Sequence, residues 1–170
     1  MVQPLGMDPD PCPGCGVSLP RVDGPVHRYM ESSAACWQRY GELLVRDYSD
    51  PAYRAAHRLV VDAYAVQHPG RPSPQSIQSV AIHLIALCVV LERGWDFHRA
   101  STLLGVAAAR DDYAWLTPPL APATLTVLHP LAASSAAGHA TAVREWAEAA
   151  WRDWGRHHAQ VREWATRVGA

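Results

Sequence analysis

One segment, residues 74–93, constrains the fold more than any other. It opens on Ser73-Pro74, a capping residue followed by the residue best suited to a first helical position, and Gly94 stops it. From Val80 to Leu91 it is apolar nearly all round, and His83 is the one strongly polar side chain in that stretch. A helix with no polar face has to be surrounded by other elements. Its longest uninterrupted apolar run, 84–91, is far short of the roughly 20 residues a membrane span needs. The expectation is therefore a central core helix and no membrane partner.

The neighbours that would surround it are also legible. A helix over 34–48 is capped by Ser33 and carries Trp37, Tyr40, Leu44 and Tyr48 at helical spacing. A second, over 51–68, has Asp50 as cap, Pro51 at its first position and Pro69-Gly70 as terminator. A weaker helical stretch covers 96–104, Pro118 to Pro122 break the chain, and Thr126 can cap one short turn. The last helix, 139–168, has Val143, Ala147, Trp151, Trp154, His158, Val161 and Ala165 on one stripe, widened by Trp146 and Trp164. No strand longer than a few residues is expected. The fold class is all-α: a four- to five-helix bundle with a cysteine-rich, zinc-knuckle-like arm at its N-terminus. The arm is placed at 1–36 and the bundle at 37–170, forming one compact domain, as 170 residues suggest.

Composition excludes several function classes. The 15 basic residues are all arginine, so no Walker-type phosphate loop, Schiff-base lysine or lysine general base exists in this sequence. A formal net charge of -1 argues against nucleic acid as the main partner. Residues 1–8 have neither the basic nor the apolar region of a secretory signal, and Met7 is an alternative start. A cytoplasmic protein is the expectation.

In a reducing compartment, clustered cysteines read as metal ligands. Cys12-Pro-Gly-Cys15-Gly forms a tight turn that can point two sulfurs at one ion, and Cys36, in the first turn of a capped helix, is the natural third ligand. His27 is the expected fourth, giving C-x2-C-x11-H-x8-C, with His68 or another distant histidine as the alternative. The metal expected is structural zinc. A redox pair fits less well, because no strand–helix setting surrounds the motif. Cys88, inside the apolar helix, reads as a small core residue.

The bundle also carries many polar candidates. His57 and His68 share a helix face but lie roughly 16 Å apart along the axis, so they cannot share an ion. His68, His83 and His158 could converge as a second metal or acid–base site, with Asp62 or Tyr64 orienting a histidine; His57 belongs to the same candidate set. Against that, no histidine pair at i,i+4 marks such a site, and core histidines satisfied by local partners explain the same residues. His98, His129 and His139 are expected to be exposed.

The chain resembles an uncharacterised bacterial family, a domain of unknown function frequent in actinobacteria. Five stretches carry the resemblance: Cys12-Pro-Gly-Cys-Gly, His27-Arg-Tyr-Met-Glu-Ser-Ser with Cys36-Trp37, the block from His57 to Gly70, Gln78 to Leu84, and the Trp151/Trp154/His157-His158 pattern. The resemblance brings no assigned activity. It implies that Cys12, Cys15, His27, Cys36, His57, Asp62, Tyr64, His68 and His83 form the family's signature. The resulting expectation is a small zinc-stapled helical protein that binds a protein or small-molecule partner. The alternative is a metal-dependent hydrolase or transferase using the bundle histidines. A third reading is a redox-sensing cysteine cluster.

Overall fold

The computed structural model describes residues 9–170, so the readings of the signal-free start and of Met7 lie outside the described residues. The arm opens with a two-stranded antiparallel ribbon, β1 (Asp10–Pro11) and β2 (Ser18–Leu19), with Asp10 opposite Leu19. Eight α-helices follow among the described residues: α1 (Ala34–Ser49), α2 (Pro51–Arg54), α3 (His57–Gln67), α4 (Pro74–Leu87), α5 (Phe97–Ala108), α6 (Leu128–Leu131), α7 (Ala136–Asp153) and α8 (His158–Arg167). The all-α bundle is as expected, and the larger number of helices comes from splitting.

The caps read from sequence are made. Ser33 accepts a hydrogen bond from the Cys36 amide, Asp50 from Ala52 and Ser73 from Ser76, and Asp96, not read as a cap from the sequence, accepts from Arg99. α4 runs on into a π turn over Cys88–Glu92, and Gly94, at φ +65°, ends the segment in a left-handed conformation. The stretch Pro74–Glu92 is the one described segment long and apolar enough to cross a membrane. It lies in the middle of the bundle, packed against α3, α5, α7 and α8.

Two expected helices are broken. The expected 51–68 helix divides at Ala55-Ala56, where the Ala56 amide bonds the Tyr53 carbonyl three residues back at 3.2 Å. The break lets Tyr53 pack edge-on against His139 of α7 while α3 turns into the core. The expected 139–168 helix divides at Trp154, and a 3-10 turn over Gly155–His157 precedes α8. There the Trp154 indole donates to the Val66 carbonyl, while Arg156 and His157 both reach the Thr117 carbonyl. In both places tertiary contacts override local helix propensity.

The core lies where α3 meets α4 and α7, and Trp146, Trp154, Tyr64, Leu84, Ile85 and Leu87 fill it. Cys88 is fully buried there. Trp146 and Trp154 are oriented by polar tips as well as by bulk: the Trp146 indole donates to Gln67 Oε1 at 2.9 Å.

Candidate metal centre

The Cys12-Pro-Gly-Cys15-Gly turn is closed by two backbone bonds, Cys12 N–H to the Val17 carbonyl and Gly16 N–H to the Cys12 carbonyl, each 2.9 Å. Gly16 sits at φ +79°, which favours glycine. Gly14 is required for a different reason. A Cβ there would run into the His68 ring and would lie 2.6 Å from the Glu31 carbonyl oxygen and 2.7 Å from that of Gln67. The turn therefore seats directly on the end of α3. Cys36 comes from the first turn of α1, and His68 is the residue that ends α3, out of helical conformation ahead of Pro69-Gly70.

These four side chains converge. Cys12 Sγ lies 3.5 Å from His68 Nε2, Cys36 Sγ lies 3.4 Å from the same nitrogen, and Cys15 Sγ lies 3.8 Å from Cys36 Sγ. All four donor atoms lie within 4.8 Å of one another, close enough to hold one metal ion. Each residue is at most 2 % exposed, so the protein encloses the site.

The site's surroundings fix its chemistry. His68 Nδ1–H donates to the Tyr64 carbonyl at 2.7 Å, which leaves the Nε2 lone pair to face the sulfurs. The Tyr64 ring stacks on His68 with centroids 3.9 Å apart, and its hydroxyl donates to Cys36 Sγ at 3.7 Å. The Ser33 amide donates to Cys12 Sγ at 3.4 Å. Hydrogen bonds from Cys15 and Cys36 hold the Cys12 thiol far below its ordinary pKa. Its bond to Cys12 pushes Cys15 up to about 12, and bonds to Cys12 and Cys15 push Cys36 higher still. Three sulfurs packed this closely resist ionising together, and a bound cation supplies the charge that lets them do so.

His27 is not part of this group, which corrects the expectation that it would be the fourth ligand. Its Nδ1 accepts from the Tyr29 and Met30 amides, and its ring packs on Tyr29 and Trp37. Those bonds turn the 27–30 segment back on itself and occupy the one lone pair of the neutral ring, whose Nε2 then carries the proton. His68, the alternative held open in the sequence, takes the place.

The other candidates do not meet at one point. His57 Nδ1 bonds Asp47 at 3.1 Å, and its Nε2 faces the Tyr48 hydroxyl. His83 Nδ1 bonds Asp62 at 2.7 Å, and Arg58 pairs with the same carboxylate. His158 lies flat on Trp151, centroids 3.8 Å apart, and donates through Nε2 to the Trp151 carbonyl. Tyr64 supports the cysteine cluster rather than a separate site. Among the described residues, no other group of cysteines, histidines and carboxylates comes together as a metal site.

One buried group escaped the sequence reading. Asp47, fully buried, accepts from His57 with one oxygen and from His139 Nε2 with the other, at 3.0 Å. His139 is thus buried, not exposed as expected, and its Nδ1 has no partner among the described residues. Both residues were findable. Asp47 continues the Cys36, Tyr40, Leu43 face of α1, and His139 lies one turn before Val143 on the stripe of α7.

No curated protein and no solved structure matches the chain. The sequence model of a family of unknown function, DUF5946, matches residues 10–155, a span that takes in all four residues of the cluster and most of the bundle, and the chain belongs to that family.

Proposed function

We propose that the protein is a helical binding module whose N-terminal arm is stapled to the bundle by a structural zinc ion held by Cys12, Cys15, Cys36 and His68. The observation that carries this reading is the spacing of the four donors. Zn–S bonds of about 2.3 Å and Zn–N bonds of about 2.0–2.1 Å in a tetrahedron put sulfurs about 3.8 Å from each other and about 3.5 Å from the nitrogen. The separations of 3.8, 3.5 and 3.4 Å match those edges. Three thiolates and one imidazole suit zinc better than the hard cations, which take oxygen ligands.

Four protein donors complete a tetrahedral shell and leave no position for water or substrate, the mark of a structural site. Apart from the exposed His98, the remaining histidines each have local partners, so a reactive centre in the bundle has no support from geometry. A buried zinc–thiolate centre also suits a reducing, cytoplasmic setting. The test is removal of the metal from the folded protein with a strong chelator, followed by hydrogen exchange. The reading predicts loss of protection at the Cys12 and Gly16 amides while the α4 and α7 amides stay protected. Unchanged arm protection after verified metal loss would overturn it.

A further inference from the structure

The four metal-site residues are not equally shielded. Beside the cluster lies a cavity of about 130 Å³, bounded by the 13–15 turn, the end of α3, the 118–123 loop and the end of α7. Cys15 lines it, and Cys12, Cys36 and His68 do not. Cys15 is 2 % exposed, so a reagent meets it by entering that cavity. The three sulfurs also differ in their donors. Cys12 Sγ accepts from the Ser33 amide and Cys36 Sγ from the Tyr64 hydroxyl, both from outside the cluster. On Cys15 only the Val17 amide bears, as the weakest of its polar neighbours. Hydrogen bonds to a metal-bound thiolate withdraw electron density from it, so the sulfur that receives least is the best nucleophile of the three.

The cavity selects what can enter. A water molecule takes up about 30 Å³ in the liquid. Hydrogen peroxide, with one more oxygen, fits the space, and a bulky disulfide such as oxidised glutathione does not. The charged side chains on the wall, Glu31 and Asp153, are both carboxylates. They turn away anionic oxidants and leave a neutral hydroperoxide. A second thiolate stands ready behind the first. Cys36 Sγ lies 3.8 Å from Cys15 Sγ. A disulfide needs about 2.0 Å, a short side-chain movement once the metal departs.

We propose that Cys15 is an oxidation site for small neutral hydroperoxides, and that its oxidation to a disulfide with Cys36 opens the staple. This switch rests on the zinc-staple reading, since it acts by removing two of the four donors. The Cys15 thiolate attacks one peroxide oxygen and the O–O bond breaks; the hydroxide released takes a proton from solvent and leaves as water. The Cys36 thiolate then attacks the sulfur of the Cys15 sulfenic acid, forming the S–S bond and expelling a second hydroxide, which is protonated in the same way. The two sulfurs lose two electrons and the peroxide gains them. Zinc, left with Cys12 and His68, no longer has a four-donor shell. The effect reaches beyond the arm. The Ala123 amide bonds the Cys15 carbonyl at 3.0 Å, and at the other end of the same loop the Thr117 carbonyl accepts from Arg156 and His157 ahead of α8.

The test is exposure of the full, zinc-loaded chain to excess hydrogen peroxide, with zinc release followed by a metal-binding dye and disulfides mapped by mass spectrometry after alkylation. Zinc release should track formation of a Cys15–Cys36 disulfide, with Cys12 and Cys88 still free to alkylate. Hydrogen exchange should show the Gly16 and Ala123 amides losing protection together while α4 keeps its own. A phosphine reductant with added zinc should restore the starting state. A121W, at the exposed edge of the cavity, should keep its zinc and Tm but slow release by about threefold or more. Oxidised glutathione should release none. Zinc retained under peroxide, a disulfide that uses Cys12, equal release rates in A121W and the natural protein, or release by oxidised glutathione as fast as by peroxide would each overturn the proposal. Zinc content is read before peroxide is added: no zinc at that point overturns the staple reading and the switch with it, whereas bound zinc that peroxide leaves in place overturns the switch alone.

Discussion

His27 and His68 are separated by what their Nδ1 atoms do. In His68 that nitrogen carries the proton and donates to the Tyr64 carbonyl, so Nε2 is free to bind metal. In His27 it accepts two amides and closes a local turn. H68A should therefore lose the metal and cost at least about 3 kcal/mol, a fall of roughly 6–12 °C in Tm for a chain of this size. H27A should keep the metal and cost about 1 kcal/mol. Glu92 provides a second prediction at this scale. Arg162 bonds both its oxygens at 2.8 Å and the Trp151 indole donates at 3.1 Å, and these hold its carboxyl below the ordinary range. A depressed carboxyl stabilises the fold fully above its unfolded pKa, and that contribution is lost as pH falls through the folded value. E92Q should thus cost about 1 kcal/mol at neutral pH, with the difference from the natural protein shrinking on acidification. Melting curves from pH 7 to pH 3 check it, and a gap that widens toward acid would contradict the assignment.

Helices were legible wherever caps and stripes coincide, as at Ser33 and Ser73, because those signals are local. The interruptions at Ala55-Ala56 and Trp154 were not, because their causes are distant: Tyr53 meeting His139, and Trp154 reaching Val66. The metal site shows the same division. Three ligands follow from the cysteine pattern. The fourth comes from a helix end 32 residues beyond Cys36, a distance along the chain that knuckle spacing does not reveal. Glycines give the prediction at this scale. G70A forces a side chain onto a left-handed backbone and into the Tyr29 carbonyl, and should cost roughly 2–4 kcal/mol. G41A, in α1 with nothing within 4 Å of the new Cβ, should stabilise by about 0.5–1 kcal/mol. Denaturant unfolding of both variants distinguishes a required glycine from a tolerated one.

At the scale of the whole molecule, the arm has little apolar material of its own. Of the core, residues 9–33 contribute Cys12, Cys15 and Leu19, with Val17 and Met30 partly buried against it. Such a segment cannot offset its ordering entropy by burial alone, whereas α3, α4 and α7 bury most of their large apolar side chains. The account therefore makes metal binding the event that orders the arm. The most direct test is metal content per chain by mass spectrometry, on protein purified without a histidine tag, for the natural sequence, H68A and H27A. The account predicts one zinc per chain in the natural protein and in H27A, and none retained in H68A. Zinc retained in H68A and lost in H27A, or no metal in the natural protein, would contradict it.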